Sequence, residues 1–223
     1  MTGSSTDPYV RVWDVPVRLT HWAFAFLVPA MWWTAENSQW ALHKRFGITL
    51  AGLLVFRLLW GFIGSRTARF TSFVKGPSQV LAYVRGRIDH QIGHNPLGAL
   101  SVLGLLGVMV VQVGSGLFAG DPYDGATGPL NPLVGVTTAT ALTEWHEWFY
   151  WVIVGMVALH LSAIAFYAGA KQNDLIGPMV TGKKLVGGKA RANEPTPWGR
   201  FILAASIATG LALWIAYGAP PLS

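Results

Sequence analysis

Five apolar stretches, separated by polar ones, run along this chain at residues 17–34, 42–63, 96–119, 144–167 and 198–217. Helices of about 17–25 residues cross a bilayer. Each stretch therefore predicts a membrane-spanning helix, and together they predict an up-and-down bundle. The first contains Pro29, which a membrane helix tolerates, and is read as a retained span rather than a cleaved signal. Residues 10–18 read as an interfacial lead-in. Within the polar connection 65–95, residues 77–87 predict a short surface helix. The connections 120–143 and 169–200 read as loops.

The third stretch is rich in glycine (Gly98, Gly104, Gly107, Gly114, Gly116). Such a helix admits close approach of another backbone or of a flat ligand. Apart from Arg200 at its start and Tyr217 at its end, the fifth carries no ionisable side chain and reads as structural.

Composition agrees with the pattern. The 223 residues are 52% hydrophobic and 12% charged, about half the charge of an ordinary soluble domain. The net charge of +6 is explained by topology, not by nucleic acid. Of the sixteen Lys and Arg, thirteen fall in the N-terminal segment and the second and fourth connections. Lys44 and Arg45 lie on the other side, and Arg57 lies within a span. The positive-inside rule then places the N-terminus in the cytoplasm. No cysteine is present, which excludes disulfides, thiolate metal sites, iron–sulfur clusters and covalent c-type haem.

Histidine inside a span marks a functional site. His146 and His160 stand 14 residues apart on the fourth span, which is nearly one helix face and about 21 Å of rise. With alternating span directions, His43 falls at the outer level with His146, and His21 at the inner level with His160. A lone interfacial histidine beside Trp22 would be an ordinary belt residue. Two imidazoles at each of two levels are what two bis-histidine haem b groups need. Zinc is disfavoured because the pairs are too far apart to share one ion. A retinal protein needs a lysine within a span, and every lysine lies outside. Arg57, 14 residues after His43, lies level with His160 and calls for a partner: either a haem propionate or helix carbonyls. His90 and His94, in a basic loop, read as solvated or capping.

Several short motifs bear a resemblance. They are Val12-Trp13-Asp14 with Arg18-Leu-Thr-His21-Trp22; His43-Lys-Arg-Phe-Gly47; Phe56-Arg57-Leu-Leu-Trp60-Gly61; Gly93-His94-Asn95-Pro96-Leu97-Gly98; His146 and His160; and Pro178-Met179-Val180-Thr181-Gly182-Lys183-Lys184. The set resembles the bacterial cytochrome b561 and Ni-Fe hydrogenase b-type cytochrome group, related to formate dehydrogenase gamma subunits.

The resemblance implies an all-α integral membrane fold, a four-helix haem-binding bundle plus a fifth C-terminal helix. It implies a dihaem domain over residues 10–185, after a polar tail at 1–9 and before a linker and last helix at 186–223. It implies two haem b, with the fourth span giving one ligand to each. It further implies electron transfer with quinone as substrate, with Arg18, His94 and Asn95 facing the quinone. Alternatively, His94-Asn95-Pro96 only caps the third helix.

The expected function is a relay between an outer-side donor and the quinone pool. An outer loop with Asp121, Asp124 and Glu144 is suited to a basic cytochrome c or a dehydrogenase or hydrogenase subunit, or is simply solvated. Two alternatives remain. One is an enzyme resembling superoxide oxidase, with Lys44 and Arg45 attracting the anion. The other is a haem-containing anchor subunit of a larger complex.

Overall fold

The computed structural model describes residues 9–87, 93–121, 125–185 and 194–222. Residues 1–8 of the expected N-terminal tail, His90, Asp124, Lys189 and Arg191 lie outside them, while Tyr9, expected in the tail, is described. The chain is a helical bundle, built from α1 (Val15–Glu36), α2 (Trp40–Ile63), α3 (Phe70–Phe73), α4 (Pro77–Val84), α5 (Pro96–Phe118), α6 (Val136–Gly169), α7 (Ile176–Thr181) and α8 (Trp198–Ala216). Four of these, α2, α5, α6 and α8, are long and apolar enough to cross a membrane. α1 has the length, 22 residues, but carries Arg18, Thr20 and His21 in its first turns.

Helix starts follow local chemistry. Asp14 caps α1 by accepting from the Val17 amide at 2.8 Å, and Pro16 lies in the first turn. Asn95 caps α5 through the Gly98 amide at 2.7 Å, with Pro96 next. Both use the preference for Asx at the cap and Pro just inside it. α1 continues through Pro29.

α5 packs with α6, and α2 packs with α1, α5 and α8. Against α8, Gly52 permits close approach: a Cβ there would lie 3.1 Å from the Ala212 Cβ. The interior falls into three apolar clusters. Val12, Trp13, Phe56 and Trp60 fill the basic end with Ala204 and Ala208. Leu27, Leu50, Leu54, Leu106, Met109 and Ile153 fill the middle. Leu130, Ile215 and Ala219 close the opposite end. Elsewhere large apolar side chains face outward, including Leu103, Trp151, Leu159 and Ile202. In a helix apolar on all sides, that is the pattern of lipid contact.

Three expectations need correction. The fourth helix begins at Val136, not near residue 144, so the loop before it is shorter. Its threonines made the segment look polar, but Thr143 satisfies its hydroxyl on the Ala139 carbonyl at 3.1 Å, within the helix.

The connection after the fourth span is not wholly loop, since it contains α7 and a strand, β2 (Lys183–Leu185). The lead-in is likewise partly strand. β1 (Tyr9–Arg11) pairs antiparallel with β2, Val10 opposite Lys184. Gly182, at φ 82°, ends α7 in the left-handed conformation that glycine accepts most easily. Its carbonyl accepts from the Val12 and Trp13 amides at 2.8 and 3.2 Å. Arg18 donates to the Val180 carbonyl and Trp22 to that of Met179. The two segments form a clasp across the basic end. The surface helix expected at 77–87 is α4, Pro77–Val84.

Candidate haem sites

The register of two antiparallel helix pairs places the histidines. Where α1 turns into α2, Thr34 Oγ1 lies 3.1 Å from His43 Nδ1. At the other end of the same pair, Trp60 Nε1 donates to Asp14 at 2.9 Å. In the second pair, Gln112 of α5 meets His146 and Ser101 meets His160. His43 thus stands level with His146, and His21 with His160.

The rings face each other across the gap between the helix pairs. The ring centroids of His43 and His146 are 6.2 Å apart, and those of His21 and His160 are 6.4 Å apart. A metal–imidazole bond is about 2.0–2.1 Å, and a ring nitrogen lies about 1.1 Å from the ring centre, so two imidazoles on opposite sides of one metal have centroids about 6.3 Å apart. Both pairs match that separation. Among the described residues, no group of three or more His, Cys, Asp or Glu could hold a metal ion.

The level farther from the basic end opens into a cavity of about 450 Å³ lined by His43, Gly47, Met109, Gly116, His146 and Tyr150. That volume is within the range of about 300–1,000 Å³ common for ligand pockets. Glu36, Lys44, Asp121 and Glu147 also line it.

Hydrogen bonds orient this pair. His146 Nδ1 lies 2.8 Å from the Gln112 carbonyl, and His43 Nδ1 lies 3.1 Å from the Met31 carbonyl. A carbonyl only accepts, so each Nδ1 carries the proton and each Nε2 presents its lone pair. Ligating histidines commonly donate the second ring N–H in this way. The Gln112 amide approaches His146 Nε2 at 3.3 Å.

The level nearer the basic end is built differently. His160 Nδ1 is 3.4 Å from the Ser101 hydroxyl. His21 Nδ1, Arg18 Nε and Arg57 Nη1 are buried with no hydrogen-bond partner among the described residues. Arg57 is 6% exposed and lies over the Phe70 ring, 5.5 Å from its centroid. The register puts it beside the first turns of α1. Its charge is met in part by Asp14, which is 1% exposed. Asp14 in turn accepts from Val17 N, Trp60 Nε1 and Ser65 Oγ. A second carboxylate, such as a porphyrin propionate, fits the bare Nη1.

The remaining expected residues gather at the clasp. The His94 ring lies between Trp13 and Phe73, with centroids 4.5 and 4.4 Å away. Asn95 uses its side-chain oxygen as the α5 cap.

Sequence reasoning missed Thr34, Met31, Ser101 and Gln112, which act through contacts between helices. Gly116 carried a signal as one of the glycines of α5. A Cβ on it would lie 2.6 Å from His146 Cε1, so it makes room for an imidazole ring.

Apolar membrane helices that bring histidines face to face in pairs fit a class, the b-type cytochromes of membranes. The chain matches the model of the prokaryotic cytochrome b561 family over residues 12–182, more than half its length, and belongs to that family. Membership makes it a multi-pass membrane cytochrome of electron transfer and implies that it binds haem b. Neither the curated proteins nor the solved structures compared with the chain match it.

Proposed function

We propose that the protein is a two-haem relay carrying electrons between a donor outside a bacterial cytoplasmic membrane and the quinone pool. His43 and His146 hold the outer haem b, and His21 and His160 the inner one. The observation that carries this reading is the pair of ring separations, 6.2 and 6.4 Å, at two levels of one bundle. Haem would supply one-electron chemistry there, and with two imidazoles holding each iron the sites would favour electron transfer over oxygen binding.

The basic end is the cytoplasmic one by the distribution of Lys and Arg, and α1 is a fifth span. Arg57 holds an inner propionate through its bare Nη1. The quinone region lies at the inner end, near Arg18, His94 and Asn95. Its support is their gathering at the clasp, where the Trp13 ring packs tilted against His94 and the Trp13 amide donates to the Gly182 carbonyl.

A reduced-minus-oxidised spectrum with haem quantitation tests the reading. Two b-type haems per chain are expected. His146→Ala and His160→Ala should each lose one. Retention of two haems by both variants overturns it.

One observation favours a second reading. Lys44 and Arg45 line a surface hollow of about 500 Å³, bordered also by Trp40 and Thr127, which line the outer cavity. Such a basic hollow attracts small anions. If superoxide is the donor, two superoxides yield two oxygen molecules, and their two electrons with two protons reduce one quinone to quinol. Superoxide-dependent quinone reduction by the purified protein alone supports this, and absence of turnover rejects it.

A further inference from the structure

We infer that the inner site holds its electron more tightly than the outer one, and that Arg57 sets the difference. The inference rests on the two-site reading above and adds to it an ordering of the sites.

Reduction adds one negative charge at a site, so nearby charge and ligand basicity decide where that charge is easier to place. At the outer site, both imidazoles donate Nδ1–H to main-chain carbonyls, of Met31 at 3.1 Å and Gln112 at 2.8 Å. That donation makes Nε2 more basic and favours the oxidised, more positive iron. Among the described residues, three carboxylates, Glu36, Asp121 and Glu147, line the outer cavity against one cation, Lys44, with Arg45 in the adjoining hollow. Their net field also opposes an added electron.

The inner site has the opposite features. His160 Nδ1 has the Ser101 hydroxyl at 3.4 Å, and His21 Nδ1 has no hydrogen-bond partner among the described residues. Neither imidazole is made more basic by a main-chain carbonyl. Arg57 stands at this level, buried, with an Nη1 that no described residue bonds, so its charge is left to offset that of the propionate it holds. In a medium of low dielectric, a fixed cation acts at greater strength than in water. Asp14 offsets part of it, but that carboxylate is already shared among three hydrogen bonds. Asp14 aside, these contributions have the same sign. An electron entering at the outer site therefore falls toward the inner one, which makes the relay inward.

Spectroelectrochemical titration of the purified haem-loaded protein tests this. The wild type should show two one-electron midpoints. His21→Ala, which keeps only the outer haem, should retain the lower one. Arg57→Gln should shift the upper midpoint down and leave the lower in place, while Arg57→Lys should keep it near wild type. Asp14→Asn keeps a capping side chain but removes the offsetting charge, and should shift the upper midpoint up. A purely structural role for these two residues would not move the potential in opposite directions.

Retention of the upper midpoint by His21→Ala overturns the ordering. An unmoved upper midpoint in Arg57→Gln overturns the role of Arg57; if that variant loses haem, an unmoved one in Asp14→Asn does so. A wild type with fewer than two haems overturns the two-site reading itself. Two haems with equal or reversed midpoints overturn only this inference.

Discussion

Replacing Gly116 with alanine tests whether the outer imidazole is positioned by helix packing. The added Cβ would lie 2.6 Å from His146 Cε1 and 2.9 Å from its Nδ1. Carbon atoms rest at about 3.5–4.0 Å, so the contact is too short by about 1 Å. The ring cannot yield cheaply, because Nδ1 is held at 2.8 Å by the Gln112 carbonyl of the same helix. Either the ring tilts and that bond is lost, or α5 and α6 move apart. Overpacking of this kind costs about 1–3 kcal/mol. A binding constellation tolerates only about 0.5 Å of displacement. Gly116→Ala should therefore lose the outer haem while keeping the inner one, measured as haem per chain and by the number of midpoints in a redox titration. Gly107→Ala is the control, since a Cβ there meets nothing within 4 Å. A Gly116→Ala protein with two haems and unchanged midpoints refutes the reasoning.

Three other substitutions probe the frame. Asp14→Ala strands the Trp60 and Ser65 donors and removes the counter-charge of Arg57; thermal unfolding in detergent should show a loss of about 3–5 kcal/mol, as when one partner of a buried charge pair is deleted. Asn95→Ala should cost about 0.5–2 kcal/mol by uncapping α5, while Asn95→Asp should keep wild-type stability. A fall in quinol-driven haem reduction in Asn95→Asp would separate a quinone contact from capping. Gly182→Ala puts a side chain in the left-handed region, at about 1–2 kcal/mol, with its Cβ 2.9 Å from the Trp13 carbonyl oxygen. Hydrogen exchange at the Val12 and Trp13 amides, both bonded to Gly182 O, should speed up; unchanged protection there would show that the clasp does not depend on this turn.

What was legible in the sequence came from local periodicity. A helix repeats every 3.6 residues, so apolar runs marked the helices, and the 14-residue step from His146 to His160 set two levels on one face. The caps at Asp14 and Asn95 were also local, each reaching an amide three residues on. The start of α6 was misplaced because threonine reads as polar until its hydroxyl is seen bonded within the helix.

The sequence by itself determined the helices, the charged ends and the two histidine levels, since each depends on neighbours a few residues away. Only the tertiary structure decided which imidazole nitrogen faces the cavity, that Gly116 clears space for His146, and that Asp14 is the buried carboxylate acting on Arg57. Those facts join residues a dozen or more positions apart, through helix packing and hydrogen bonds that no local pattern encodes. The ring separations of 6.2 and 6.4 Å are of the same kind: helical spacing sets the height of each histidine, and packing of the two helix pairs sets the gap between them.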